Sequence, residues 1–363
     1  MKSYINSYES LSCAGNTQEL MQAIYTKKSA IEIDTSYMPE TPVALGKMKE
    51  GDFFQALEDV VSKVLTNSNL ENFSKTLLIV GSSVGGMAES ESHYFKDKDY
   101  KNIDPSRHSI SVIANHLQKS FNFLDTRSLS TACTSSANAM VLAKRLINVG
   151  AYENILIVGA DALCYTTVCG FYALSVLSSK PCTPFNEGRE GMNVAEAIGA
   201  LLIQNHKTKD SIELVGVGAS SDAYHMTNPD PEANGAITSM QNALDDAGLS
   251  SEDIDYINAH GTGTMANDKV EALAIEKLFD SVEVSSTKAI IGHTLGAAAA
   301  MEAIISCEVI KAQKVPPQTA LTQQENPNIS LPTESFGKEI NYVVSNSFAF
   351  GGNNASLLLG RVK

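Results

Sequence analysis

No apolar run in this chain approaches the length needed to cross a membrane. The opening Met1-Lys2-Ser3-Tyr4 does not begin a signal peptide, so neither a membrane span nor export is expected. Cysteines are few: six in 363 residues, with no CxxC pair and no framework spacing. That excludes a disulfide scaffold and points to reduced thiols in a soluble cytoplasmic protein. Cys164 and Cys169 are too loosely placed for a zinc site and no histidine follows at finger spacing, so no metal is expected. Positive charge is also scarce, 27 Lys and Arg against 41 Asp and Glu, for a net charge of −14. Such a balance argues against nucleic acid and against anionic membrane surfaces as partners. Low-complexity segments and linker-like shifts in composition are lacking too.

What is present is enough apolar sequence, 43 %, for a sizeable core, and a length that allows two domains. The first 75 residues say least. Leu20 to Ile24 and Phe53 to Val64 have helical periodicity, with Asp52 placed to cap the second, while Leu11 to Asn16 carries little strand signal. Leu77 to Val80 reads as a buried strand. The glycines of Gly81-Ser82-Ser83-Val84-Gly85-Gly86 fit neither GxGxxG nor a P-loop, so close packing is their expected role. Glu89 to Asp104 reads as an exposed charged loop and Ser109 to Phe121 as a helix. A second buried strand at Ile155 to Val158 follows the Cys133 helix, its spacing giving β-α-β with a parallel sheet, and Glu196 to Ile203 returns as a strand. A boundary loop at Lys207 to Asp210 precedes a second half of similar order: strand Ser211 to Ala219, helix Ile237 to Ala247, strand Ile254 to Ile257, helix Lys269 to Leu278, then strand, helix and two closing strands.

Chemistry gathers at four stretches. Ser128-Leu129-Ser130-Thr131-Ala132-Cys133-Thr134-Ser135-Ser136-Ala137 runs from a β-favouring segment into a helix with Met140, Leu142, Ala143 and Leu146 on its apolar face. A cysteine at a helix start meets unpaired N–H groups and the positive dipole end, which favour thiolate and can hold an oxyanion. An isolated Cys among Ala and Ser is more often a small buried apolar residue. Companions change that reading. Asn258-Ala259-His260-Gly261-Thr262-Gly263-Thr264 closes one strand. Lys288-Ala289-Ile290-Ile291-Gly292-His293-Thr294-Leu295-Gly296 opens an Ala-rich helix, and Asn346-Ser347-Phe348-Ala349-Phe350-Gly351-Gly352-Asn353-Asn354 closes another strand. Each set lies where α/β folds place their chemistry.

In this order the four motifs resemble the β-ketoacyl synthases, the decarboxylating condensing enzymes of the thiolase-like superfamily, in their elongating Cys-His-His branch. The resemblance implies a five-layer α-β-α-β-α fold of two pseudo-duplicated halves, residues 1–209 with the nucleophile and 210–363 with both histidines. It implies that Cys133 accepts an acyl group, that His260 and His293 decarboxylate a malonyl thioester, and that a two-carbon-extended 3-oxoacyl product forms. Neutral imidazoles would steady the enolate with N–H groups. A buried Lys288 with Asp268 and Glu302 would orient the histidines. Backbone N–H groups of Cys133 and Phe350 would hold the acyl oxyanion, with Phe350 also a gate hinged on glycines; Ala349 replaces the usual first glycine. Thr227, Thr262 and Thr264 would contact the phosphopantetheine arm, and Phe171 and Phe348 the substrate. His225 reads as structural.

The family needs no metal or dissociable cofactor, because the phosphopantetheine arrives on an acyl carrier protein. An acidic carrier would require a local basic patch, for which Lys47, Lys49, Lys144 and Arg145 are the candidates. A homodimer is expected, with a heterodimer beside a ketosynthase-like subunit as the other arrangement. Fatty-acid synthesis and specialised polyene, aryl-polyene or polyketide-like synthesis both fit; the short Lys180-Pro181-Cys182-Thr183 loop favours the specialised reading. Asn186 stands where the loop Pro184-Phe185-Asn186 usually has Asp. A non-catalytic, chain-length-setting subunit would be expected to lack the nucleophile, and a thiolase proper would need a second C-terminal cysteine.

Overall fold

The computed structural model describes residues 1–362 apart from 50, 69 and 71. Its first half supplies β1 (Tyr4–Ser12), β2 (Gly15–Asn16), β3 (Glu32–Asp34), β4 (Val43–Leu45), β5 (Thr76–Gly81), β6 (Asp125–Leu129), β7 (Asn154–Asp161) and β8 (Ala197–Gln204). The second half supplies β9 (Ile212–Ser221), β10 (Tyr256–Asn258), β11 (Glu283–Ser285), β12 (Lys314–Val315), β13 (Phe336–Gly337), β14 (Tyr342–Phe348) and β15 (Asn353–Arg361). Two five-strand arrays have the same order: β6-β5-β7-β8-β1 in one and β11-β10-β14-β15-β9 in the other. In both, the first three strands are parallel and the last two antiparallel. The arrays join where Tyr4 and Ile5 pair with Glu213 and Ile212.

Strand alternation then sorts side chains into layers. Along β5, Leu77 and Ile79 face a central core that also holds Met140, Ile304, Val343 and Leu357. Their neighbours Leu78 and Val80 face outward, onto Leu57, Val61, Ile113 and Leu117 of helices Phe53–Asn67 and Ser111–Phe121. The second array mirrors this, with Ile257, Val344 and Leu358 against Met240, Leu244 and Ile275 of helices Asn234–Ala247 and Met265–Leu278. Between the arrays lie helices Ser135–Asn148 and Ala298–Ala312; residues 298 to 307 of the second are all buried. A strand covered on both faces needs apolar residues at successive positions. The result is the thiolase-like α-β-α-β-α arrangement.

Two segments differ from the sequence reading. β1 is a full nine-residue strand, although its buried positions include Ser7, Ser10 and Ser12. The charged stretch after Gly86 is not a loop throughout: Met87–Asp97 is a helix, ended by Lys98 in the left-handed conformation at φ 52°. Asp52 caps its helix as expected, accepting from the Gln55 N–H at 2.8 Å.

Gly81 shows why a strand end here must be glycine. A Cβ there would stand 2.5 Å from the Ser136 nitrogen, at the start of the central helix behind Cys133. Gly170 has nothing within 4 Å of a built Cβ and sits inside helix Tyr165–Ala173. Gly81→Ala is therefore expected to destabilise the protein by about 2 kcal/mol through overpacking. Gly170→Ala should stabilise it by roughly 0.5–1 kcal/mol through helix propensity. Denaturant titration of both variants checks the opposite signs.

Candidate active site

Cys133 sits on the sharp turn between β6 and helix Ser135–Asn148, directly after Ala132, which adopts φ 53°. The turn is tied by its own hydroxyls: Ser135 Oγ donates to Ala132 O at 2.6 Å and Thr134 Oγ1 to Thr131 O at 2.7 Å. His260 follows β10, and His293 follows Gly292, whose φ of 77° turns the chain out of the short helix Lys288–Ile291. Asn193 and Ala195, just before β8 in the first half, grip His293 from both sides of its peptide, with His293 N donating to Asn193 O and Ala195 N to His293 O. The ligating-type atoms of Cys133, His260 and His293 all lie within 4.8 Å of one another, and all three residues are buried. The two imidazoles meet edge to face with centroids 5.1 Å apart.

The protons on these rings follow from their partners. His293 Nδ1 accepts the Leu295 N–H at 3.0 Å. His260 Nδ1 lies 3.3 Å from Lys288 Nζ, an ammonium that can only donate. A neutral imidazole with Nδ1 accepting carries its proton on Nε2. Burial, then the Lys288 cation, holds both histidines well below the usual imidazole range, and His293 adds to the shift on His260. Both rings thus offer Nε2–H donors. A Cys and two His would suit zinc by atom type, but that would take the Nε2 lone pair, which the Leu295 N–H and the ammonium leave protonated.

The thiol departs from expectation. Its place near a helix start does not leave it acidic: burial pushes Cys133 up to about 11, offset in part by Lys288 and by the backbone N–H groups of Phe350 and Cys133. The helix itself begins at Ser135, with Thr134 as its cap.

The supporting charges also differ from the predicted set. Lys288 pairs with Glu302 and donates to His260 O at 2.5 Å. Asp268 does not join them. It pairs instead with the buried Arg189 at 3.3 Å and accepts from Phe185 N at 2.8 Å and Gly263 N at 3.1 Å, fixing the loop after His260. The carboxylate nearest His260 is Glu271, which accepts His260 N at 2.8 Å and Gly261 N at 2.7 Å; burial raises its pKa to about 7. Glu271 follows Asp268 by one helical turn, so the same face that marked Asp268 carried a signal for it.

A cavity of about 220 Å³ leads to Cys133 and is lined by Thr227, Thr262, Thr264, Phe171, Phe348 and Phe350 among others. The Thr262 and Thr264 hydroxyls lie 2.9 Å apart. Phe350 stacks obliquely on Phe171 at 5.9 Å, and Phe348 meets His260 at 6.1 Å. Ala349 is not in a left-handed conformation, whereas Gly351 and Gly352 are, at φ 85° and 75°. His225 is exposed and accepts from Thr227 N at 3.1 Å. Of the basic candidates, Lys144 is buried against Asp246 at 3.0 Å and Lys47 is paired with Asp34, so neither is free for an acidic partner.

Comparison with known proteins agrees with this geometry. The family models for the β-ketoacyl synthase N-terminal and C-terminal domains match residues 49–209 and 212–322. The 3-oxoacyl-[acyl-carrier-protein] synthase 2 of Coxiella burnetii is 36 % identical over 325 residues, 81 % of this chain and 77 % of its own. This chain belongs to the β-ketoacyl synthase family. The synthase 2 of Rhizobium meliloti is 35 % identical over 320 residues, 80 % of this chain and 75 % of the relative. Among solved structures, a chain of the complex between the ketosynthase ApeO and its chain length factor ApeC from Xenorhabdus doucetiae superposes with a TM-score of 0.90. It is 31 % identical, with 99 % of this chain and 98 % of that one covered. The ketosynthase is thus a condensing enzyme that extends acyl chains, with a Cys-His-His triad. No helix among the described residues is long and apolar enough to cross a membrane.

Because burial raises the thiol, alkylation of Cys133 by iodoacetamide should still be climbing at about pH 10, whereas a free thiol with a pKa of about 8.5 levels off about one unit above that pKa. Lys288→Met removes the cation that lowers this pKa, so its profile should move further alkaline. A mass-spectrometric rate series against pH checks both.

Proposed function

We propose that Cys133 is the acyl acceptor and that His260 and His293 are paired N–H donors for a decarboxylative Claisen condensation on carrier-bound thioesters. The observation that carries this is the engagement of both Nδ1 atoms, which leaves the proton of each ring on Nε2, on two imidazoles gathered with the sulfur. In the first step Cys133 sulfur attacks the acyl thioester carbonyl. The C–S bond to the incoming phosphopantetheine breaks, and the thiol proton passes to that leaving sulfur. Phe350 and Cys133 N–H groups hold the oxyanion. Malonyl thioester then loses carbon dioxide, and its C–C electron pair becomes an enolate whose oxygen takes the two Nε2–H bonds. The enolate carbon attacks the acyl carbonyl, a new C–C bond forms, and Cys133 leaves as thiolate. Lys288 and Glu302 orient the rings, with Glu271 and Asp268 fixing the loop around His260. Phe350 is the gate, with Thr227, Thr262 and Thr264 along the phosphopantetheine arm and Phe171 and Phe348 beside the acyl group.

The finer assignments are our reading as well. The halves divide as 1–209 and 210–363. The partner is an acyl carrier protein in the cytoplasm, and the working unit is a homodimer, with a ketosynthase-like second subunit as the other arrangement. A second cavity at Cys133, of about 470 Å³, has Thr166, Thr167 and Gly170 in one wall. These small residues leave room for an extended chain, which supports a specialised polyene, aryl-polyene or polyketide-like substrate over general fatty acids.

Intact-mass spectrometry with acyl carrier proteins bearing saturated, polyunsaturated and aryl-primed chains tests the reading. We expect acylation that Cys133→Ala abolishes, then a two-carbon-extended keto product once malonyl carrier is added. No acylation with any chain would instead favour a chain-length-setting subunit.

A further inference from the structure

Asp161, at the end of β7, is fully buried and has no role in the chemistry above. Its carboxylate faces no cation among its hydrogen-bond partners. Instead it accepts from Ser82 Oγ at 2.5 Å, from Ser83 N at 2.9 Å, from Val84 N at 2.9 Å and from Gly296 N at 2.6 Å. Three of these donors belong to the turn after β5 in the first half, and the fourth to the second half. A buried carboxylate costs several kcal/mol in desolvation unless its lone pairs are met, and here four donors meet them.

The two arms of this bracket end at the reacting residues. On one arm, Ser83 Oγ donates to Ala132 O at 3.3 Å, and Ala132 holds its left-handed φ of 53° immediately before Cys133. On the other, Gly296 is pinned next to Leu295, which holds φ 55°, and it is the Leu295 N–H that sets the proton of His293. Left-handed backbone at a non-glycine residue is strained and persists only where surroundings enforce it. The space is closed: a Cβ on Gly296 would lie 2.7 Å from Ser83 N and 2.8 Å from Asp161 Oδ2.

We infer that Asp161 is a positioning residue which, through Ser83 and Gly296, holds the strained turns at Ala132 and Leu295 and so sets Cys133 against His293. This rests on the assignment of Cys133 and His293 as reacting groups. The groups that face the thiol electrostatically are the Lys288 cation and Asp161 itself, of opposite effect, beside the two neutral histidines.

The test uses the full-length protein, with acyl transfer to Cys133 and malonyl decarboxylation read separately. Asp161→Asn should slow both steps, on the order of 100-fold for a displacement near 1 Å. Asp161→Glu should recover part of both rates. Ser83→Ala, which removes a single hydroxyl, should slow acylation more than decarboxylation, and it keeps the proposal testable if Asp161→Asn does not fold. A wild-type protein that is not acylated would overturn the assignment of Cys133. A wild type that is acylated, beside a Ser83→Ala variant or a folded Asp161→Asn variant with unchanged rates of both steps, would overturn the role of Asp161.

Discussion

A buried ammonium with three protons and three acceptors stands at the centre of this molecule. Lys288 Nζ meets the Glu302 carboxylate, the His260 carbonyl and His260 Nδ1, and at 2 % exposure it has no water to fall back on. Two of these acceptors belong to His260 and one to Glu302, so the ion can be satisfied only when helix Ala298–Ala312, the loop after β10 and the Lys288 helix are all in place. Removing one partner would leave an uncompensated charge, which typically costs 3–5 kcal/mol. Burial first and then the same ammonium keep both imidazoles neutral, and the ammonium draws the thiol pKa down against the pull of burial. Stability and protonation state therefore share one source.

Around that ion the two halves are built alike, with strands in the same order and a central helix each. The seam between them is where chain ends of both converge. Cys133 arrives from one side, the histidines from the other, and backbone bonds from Asn193 and Ala195 to His293 cross between them. Neither half alone carries the whole constellation.

Much of this was legible in the chain. Strands buried on both faces, such as Thr76–Gly81 and Asn154–Asp161, announce themselves as unbroken apolar runs, and the Gly-flanked His and Cys motifs carry their own spacing. β1 was hidden because serines occupy inward positions that usually hold valine or isoleucine, and their hydroxyls are satisfied by local partners such as Val64 O and Thr17 Oγ1. The helix Met87–Asp97 was hidden by charge, since only Ser90 along it is fully buried. At the site, a linear sequence could show that acidic residues lie near His260 but not which one turns inward. Asp268 and Glu271 share a helix face, and the fold gives the first to Arg189 and the second to the His260 backbone. The thiol pKa was misread for a related reason: helix dipoles are visible in sequence, whereas complete burial is a property of the assembled layers.

The orientation of the two imidazoles has a consequence for the kind of carbon nucleophile the site can accept. With both Nδ1 atoms already taken as acceptors, the rings show the cavity only N–H groups and no free lone pair. Such a pair can steady a negative oxygen but cannot pull a proton from carbon. A carbanion must therefore be released by breaking a bond to a departing neutral fragment, and a carboxylated thioester brings that fragment with it. With the roles proposed above for His260 and His293, an uncarboxylated acetyl thioester would stay inert as a nucleophile, and carbon–carbon bond formation would be irreversible in practice, driven by the escape of a gas.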